Sequence, residues 1–198
     1  KLRGRAMQAA VPVGEGAMAA LLGLDFVAAT EVAAEAAAEG GVVQAANDND
    51  PAQVVISGTR AAVERAVEIA KGRGAKRAIL LPVSAPFHSS LMQPAADAMA
   101  EALSGVAVAA PAVPVVSNVR AEAVNDPEAI RQLLVEQVTG SVRWRESVQW
   151  MAGQGVTEFW EIGAGKALSG MIRRIAKESI VRTVGTPEEV AAAAASLQ

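Results

Sequence analysis

The chain contains one histidine, and its surroundings could make it reactive. His88 lies in Ser84-Ala85-Pro86-Phe87-His88-Ser89-Ser90, directly after the apolar run at residues 77–83. That run reads as a buried strand, and the end of a strand in an α/β sheet is where ligands bind. Pro86 stiffens the approach, so the imidazole is held rather than loose. Its ordinary pKa suits a general base near neutral pH. The plainer alternative is a surface or satisfied core histidine. Arg3 and Arg5 sit beside Met7 on one helical stretch, where two arginines most simply form a solvated face. Gln137 closes a helix and could hydrogen-bond nearby chain. Asn47 and Asn49 read as turn residues. Asn118, after Val115-Val116-Ser117, is a strand-end amide that could cap a loop or line a cleft. The basic groups Lys71, Arg73, Lys76, Arg77 and Arg173, Arg174, Lys177 read as solvated faces or helix-end charges.

Three other chemistries are excluded by spacing. No Gly-x-Ser-x-Gly occurs, so the sequence has no nucleophile elbow. Gly165-Lys166 resembles the end of a phosphate loop, but the first glycine would fall on Trp160 and the hydroxyl residue on Ala167. Gly153, Gly155, Gly163 and Gly165 are wrongly spaced for a dinucleotide fingerprint.

The elements that must position these residues follow from periodicity and punctuation. Residues 1–10 end a helix, stopped by Pro12 and the Gly14–Gly16 turn. Residues 17–23 are apolar. Asp25 caps a helix over 26–39, and Gly40-Gly41 stops it. Strands at 42–46 and 53–57 flank a turn at residues 47–51. Thr59 caps a helix with Ala62, Val63, Ala66, Ile69 and Ala70 on one face, and residues 77–83 form a strand. This β-α-β-β-α-β order is that of a ferredoxin-like unit over residues 13–83. The remainder alternates: a helix at 91–103 despite Pro94, a buried strand at 113–116, and a helix opened by Asp126-Pro127. Another helix follows at 144–154, then a strand at 157–162, a helix at 167–177, a strand at 180–184 and a last helix from Pro187. The alternation predicts a parallel α/β sheet, with residues 1–12 and 84–198 forming a large subdomain into which residues 13–83 are inserted.

Composition bounds the rest. The 198 residues are 52% hydrophobic and only 3% aromatic, so the core is built from small side chains. The net charge of -3 gives no basic excess for nucleic acid. The absence of cysteine excludes disulfides and thiolate chemistry, and a single histidine excludes a His-rich metal site. No apolar run is long enough to span a bilayer and no signal core follows the N-terminus, so a cytoplasmic protein is expected.

Taken in order, the segments resemble the malonyl-CoA:acyl carrier protein transacylases of fatty acid synthesis. Arg3-Gly4, Met7-Gln8 and Val11-Pro12-x-Gly14-x-Gly16-Ala17-Met18 are similar to that family's stretch after the nucleophile. Asn47-x-Asn49 with Gln53-Val54-Val55-Ile56-Ser57-Gly58 matches a further signature, and Leu81-Pro82-Val83-Ser84-Ala85-Pro86-Phe87-His88 matches the catalytic histidine segment. Pro114 to Val119, Gln137 before Val142-Arg143-Trp144, and Glu161-Ile162-Gly163-Ala164-Gly165-Lys166 complete the resemblance, which covers nearly the whole chain.

The resemblance implies a hydrolase-like large subdomain, present in part, with the ferredoxin-like insertion. It also implies a two-step acyl transfer from malonyl-CoA to acyl carrier protein through a serine acyl-enzyme. His88 would be the general base, and the main-chain carbonyl of Gln137 would orient it in place of a triad acid. Arg3 would hold the malonyl carboxylate with its guanidinium fork. Met7, Phe87, Asn47 and Asn118 would line the substrate site, with Phe87 resembling the malonyl-selective form of the segment. Acidic carrier protein would dock on Arg173, Arg174 and Lys177. No metal or cofactor is implied, since the coenzyme A thioester is itself the substrate. The family's Gly-His-Ser-x-Gly elbow and early Gly-Gln-Gly segment would lie before Arg3, so the nucleophile is expected from an N-terminal segment these residues do not include. An acyltransferase domain of a modular synthase, and a non-catalytic module binding carrier protein or coenzyme A, are the competing readings.

Overall fold

A computed structural model describes residues 1–196 as two compact units, Lys1–Ser147 and a second beginning at Val148. The first unit opens with helix α1 (Leu2–Ala9) and then builds a four-stranded antiparallel sheet. Its elements run β1 (Gly16–Leu22), α2 (Phe26–Ala38), β2 (Val43–Asp50), β3 (Gln53–Thr59), α3 (Arg60–Gly72) and β4 (Arg77–Leu80), in strand order β2-β3-β1-β4. Each helix therefore carries the chain across an intervening strand, the connection expected of the β-α-β-β-α-β order.

Side-chain alternation gives the sheet two faces. Ala17, Ala19 and Leu21 of β1 join Val54 and Ile56 against Ala29, Val32, Ala33 and Ala36 of α2 and Ala62, Val63, Ala66 and Ala70 of α3. Alanine on both helices lets them lie close to the strands. Met18, Ala20, Ala46 and Val55 form the opposite face, which packs against Leu81, Val83 and Phe87. Each large side chain fully buried here, such as Leu21 or Ile56, contributes about 1.5–3 kcal/mol. Asp25 caps α2 by accepting from the Ala28 N–H at 2.9 Å. Thr59 precedes α3, but its hydroxyl is bonded to the Val42 backbone instead of capping.

The expected turn at residues 47–51 is shorter. Asn47 to Asp50 continue strand β2, and only Pro51-Ala52 turn, with the Asp50 carboxylate accepting from the Ala52 N–H. These polar residues remain extended because Val142 pairs with the outer edge of β2 as an isolated parallel bridge at Asn47.

After β4, a single 3-10 turn (Ser90–Met92) leads into α4 (Gln93–Ser104), where Pro94 occupies the first turn and breaks nothing. Strands β5 (Val115–Ser117) and β6 (Glu122–Val124) form an antiparallel hairpin. The strand expected to be buried at 113–116 is instead largely solvent-facing, with Val113 70% and Val115 45% exposed. Helix α5 (Pro127–Thr139) is capped by Asp126 through the Ala129 N–H at 2.7 Å. Met7, Val11, Ala85, Met92, Ala95, Ala96 and Val138 join α1, α4 and α5 in a second core. Helix α6 (Trp144–Gly153) crosses the boundary between the units.

The second unit holds β7 (Glu158–Ile162), α7 (Ala167–Ile175), β8 (Ile180–Val184) and α8 (Pro187–Ser196). Strands β7 and β8 are parallel, as the alternation predicts. The Glu161 carboxylate accepts from the Leu168 and Ser169 N–H groups at 3.1 and 2.7 Å, closing the N-terminus of α7. Among the described strands hydrogen-bonded as neighbours, only this pair is parallel, while β5 and β6 pair antiparallel.

Candidate active site

Gly16 sits where β1 begins, and the Pro86 ring lies against it. A Cβ at Gly16 would meet Pro86 Cδ at 2.3 Å, so the close approach requires glycine. The segment then turns sharply, and His88 adopts φ 58°, a left-handed conformation that costs a non-glycine residue about 1–2 kcal/mol. Its neighbours hold it there. The buried Ser89 hydroxyl donates to the Pro86 carbonyl at 2.7 Å, and the Ser90 N–H donates to Gln44 Oε1 at 3.0 Å. Ser84 donates to Gln8 Oε1 at 2.6 Å, tying the segment to α1.

His88 Nδ1 lies 2.9 Å from the Gln137 carbonyl and 3.1 Å from the Gly140 carbonyl. Carbonyls only accept, so Nδ1 carries the proton and Nε2 keeps its lone pair. Gln137 Nε2 donates to the Gly140 carbonyl at 3.2 Å. Burial holds the imidazole below its ordinary pKa, and the Arg3 charge pushes the same way. The two carbonyl bonds oppose both. The ring is therefore neutral at pH 7 and can accept a proton at Nε2.

The imidazole opens on a cleft of about 510 Å³ lined by Arg3, Met7, Asn47, Asn49, Phe87 and His88, with Met18, Val55, Leu81 and Val83 as its apolar wall. Helix α1 supplies Arg3 and Met7, β2 supplies the two amides, and the wall comes from Met18 and Val55 of the sheet face with Leu81 and Val83 of the segment after β4. A guanidinium and two amides lining a largely apolar cleft suit a small carboxylate. No lining residue of this cleft carries a hydroxyl or thiol.

Five expected residues thus meet in one cleft, and Gln137 reaches it through its carbonyl. Asn118 stands apart from them. It lines a cavity of about 240 Å³ with Val115, Val116, Leu133, Leu134 and Gln137, and its carbonyl accepts from the Arg143 N–H at 2.8 Å. Arg173, Arg174 and Lys177 belong to the second unit and are exposed. Arg173 donates to the Val181 carbonyl at 3.2 Å, and Lys177 follows the end of α7. Sequence reasoning missed the Gly140 carbonyl, which has no side-chain signature. It also missed the Gly16–Pro86 contact, for which glycine before an apolar strand was the available signal. Among the described residues no cluster of three potential metal ligands occurs, and no helix is long and apolar enough to cross a membrane.

A main-chain-held histidine and an arginine thus line one largely apolar cleft, an arrangement that can offer a proton acceptor and a cation to the same small molecule. The chain belongs to the acyl transferase domain family, whose model matches residues 1–194. It is 48% identical over 193 residues to the malonyl CoA-acyl carrier protein transacylase of Escherichia coli K12, covering 98% of this chain and 62% of that protein. The crystal structure of the acyl-carrier-protein-S-malonyltransferase of Bartonella henselae superimposes with TM-score 0.94 at 57% identity, over 99% of this chain and 62% of that one. A malonyl-transacylase solved in complex with a type II PKS acyl-carrier protein matches with TM-score 0.90 at 43% identity, over 96% of this chain and 62% of that one. The chain therefore spans about 62% of the length of these relatives.

Proposed function

We propose that these residues form the base and carboxylate-binding part of a malonyl-CoA:acyl carrier protein transacylase of fatty acid synthesis, with the nucleophilic serine supplied from outside the 198 residues. In the first half-reaction His88 Nε2 takes the serine proton as the oxygen bonds to the thioester carbon. The intermediate collapses and expels coenzyme A, whose sulfur takes the proton back from the imidazole. In the second half-reaction the phosphopantetheine thiol of the carrier protein yields its proton to His88, attacks the acyl-serine, and the serine is reprotonated. No cofactor enters either step. Arg3 pairs with the malonyl carboxylate, and Asn47, Met7 and Phe87 shape the space around it. Asn118 stiffens the Arg143 turn beside Gln137. The β-α-β-β-α-β unit is read as a ferredoxin-like insertion, and the remainder as part of a hydrolase-like subdomain.

The observation that carries this reading is the imidazole held at Nδ1 by two carbonyls in the cleft that Arg3 lines. The relative solved with its carrier protein supports carrier protein as the acceptor. The exposed Arg173, Arg174 and Lys177 are then candidates for meeting its acidic surface, raising the encounter rate more than the final affinity.

The test uses an enzyme in which this chain is continuous with a Gly-His-Ser-x-Gly segment. Arg3→Ala should lower malonyl transfer roughly 10- to 100-fold, the loss of a charge-assisted pair of about 1.5–3 kcal/mol, and leave acetyl transfer nearly unchanged. Equal loss for both acyl groups would reduce Arg3 to a structural residue and remove the malonyl assignment.

A further inference from the structure

Asp48 stands between Asn47 and Asn49, which line the His88 cleft, yet it is itself wholly buried. The ladder between β2 and β3 shifts register on both sides of it, between Ala45 and Asn47 and between Asp48 and Asp50. Such bulges re-aim side chains, here two amides to the cleft and one carboxylate away from it. Arg145 meets that carboxylate as a fork, Nε to Oδ1 at 3.0 Å and Nη2 to Oδ2 at 2.7 Å.

The same edge of β2 is joined to the chain just before Arg145. The Asp48 N–H donates to the Val142 carbonyl at 2.8 Å, and the Val142 N–H donates to the Ala46 carbonyl at 2.8 Å. The Ser141 hydroxyl donates to the Ala45 carbonyl at 2.6 Å. This segment starts at Gly140, whose carbonyl, with that of Gln137, holds the imidazole. Farther along, Arg143 donates to the Val119 and Arg120 carbonyls and pairs with Glu146, which also lies 3.8 Å from Arg145.

We propose that Asp48 and Arg145 are positioning residues for His88: their buried ion pair locks residues 140–145 to strand β2 and so keeps the Gln137 and Gly140 carbonyls on Nδ1. A one-residue bridge such as Val142 fixes register weakly, because backbone groups are alike at every position. A bidentate ion pair is directional and has one correct partner. Its weight lies in register more than in stability, since a buried pair gains little over apolar residues of the same volume. Burial pushes the Asp48 carboxyl up and Arg145 opposes this, so loss of the arginine would leave a carboxylate without its main counter-charge. Neither side chain lines the cleft.

The catalytic meaning of this lock rests on His88 being the base; the lock itself can be read without any turnover. Because His88 is the only histidine, its ring nitrogens give single, unambiguous 15N signals. In the 198-residue chain, Asp48→Asn should lower the Nδ1–H tautomer population, because the two carbonyls that take that proton would no longer be held on it. Exchange of the Val142 amide should quicken by roughly tenfold or more. Loss of the Asp48 charge acting alone would move the pKa but leave the tautomer in place, so the tautomer separates positioning from direct electrostatics. Arg145→Lys keeps the charge but loses the fork. It should shift the same signals less, and it decides the question if Asp48→Asn does not fold. A tautomer unchanged in the folded variants would overturn the proposal. If the tautomer shifts while the serine-bearing enzyme transfers no malonyl group, the lock stands and the functional reading fails.

Discussion

Strands β1 and β3 and strands β5 and β8 draw on similar residue types but lie in opposite surroundings. Six of the seven residues of β1 are buried, and Ile56 at the centre of β3 is inaccessible, because helices cover one face and the His88 segment the other. In β5 and β8, Val115 is 45% and Ile180 54% exposed, and at the end of β7 Ile162 is 74% exposed. The four-stranded sheet finds its packing partners in its own two helices and in the segment that follows β4. The later strands bury Phe159 and Val184 but leave these other apolar side chains largely uncovered by the described residues. An apolar strand is thus a request for a partner, and only the surrounding chain decides whether it is met.

The largest expected contrast lies in those two regions. Ile56→Ala should destabilise the chain by about 2–5 kcal/mol in urea unfolding, whereas Val115→Ala should change it by less than about 0.5 kcal/mol. Similar losses at both positions would mean that β5 is as enclosed as β3. A smaller effect is expected where the sheet meets the site. Gly16→Ala forces a methyl into the Pro86 ring and should cost about 1–3 kcal/mol, with shifted backbone amide signals from Pro86's neighbours through Ser89. Those signals remaining in place would show that the His88 turn does not lean on β1.

The smallest effect is the pH dependence of stability from His88. Its folded pKa lies below the unfolded value, so between the two the unfolded chain binds more protons. The stability contributed by the neutral ring is complete above about pH 6.5 and is lost as pH falls toward the folded pKa. Replacing His88 with Gln should flatten that part of the stability profile and leave the rest unchanged.

Local chemistry was the most legible part of the sequence. The Asp25 and Asp126 caps bond to an N–H three residues on, and the order of strands and helices follows short-range periodicity. Long-range partners were not legible. Asn47 to Asp50 read as a turn because four polar residues look like one, and the strand edge that extends them lies at Val142, far along the chain. Likewise the run at 113–116 read as buried from its valines alone. His88 stood out by residue type and position, but its support comes from main-chain carbonyls, which any residue could provide. Gln137 entered through family resemblance, and Gly140 emerged only with the fold.

The account rests on a neutral imidazole whose Nδ1 proton is committed to the main chain. A 15N-detected titration of the single histidine in the unmodified chain tests this directly. The predicted result is an Nδ1–H tautomer that persists through neutral pH, with a pKa below the ordinary 6.5. An Nε2–H tautomer would contradict it, because Nε2 would then have no lone pair to accept a proton, and a pKa at or above 6.5 would contradict the burial that holds the ring neutral.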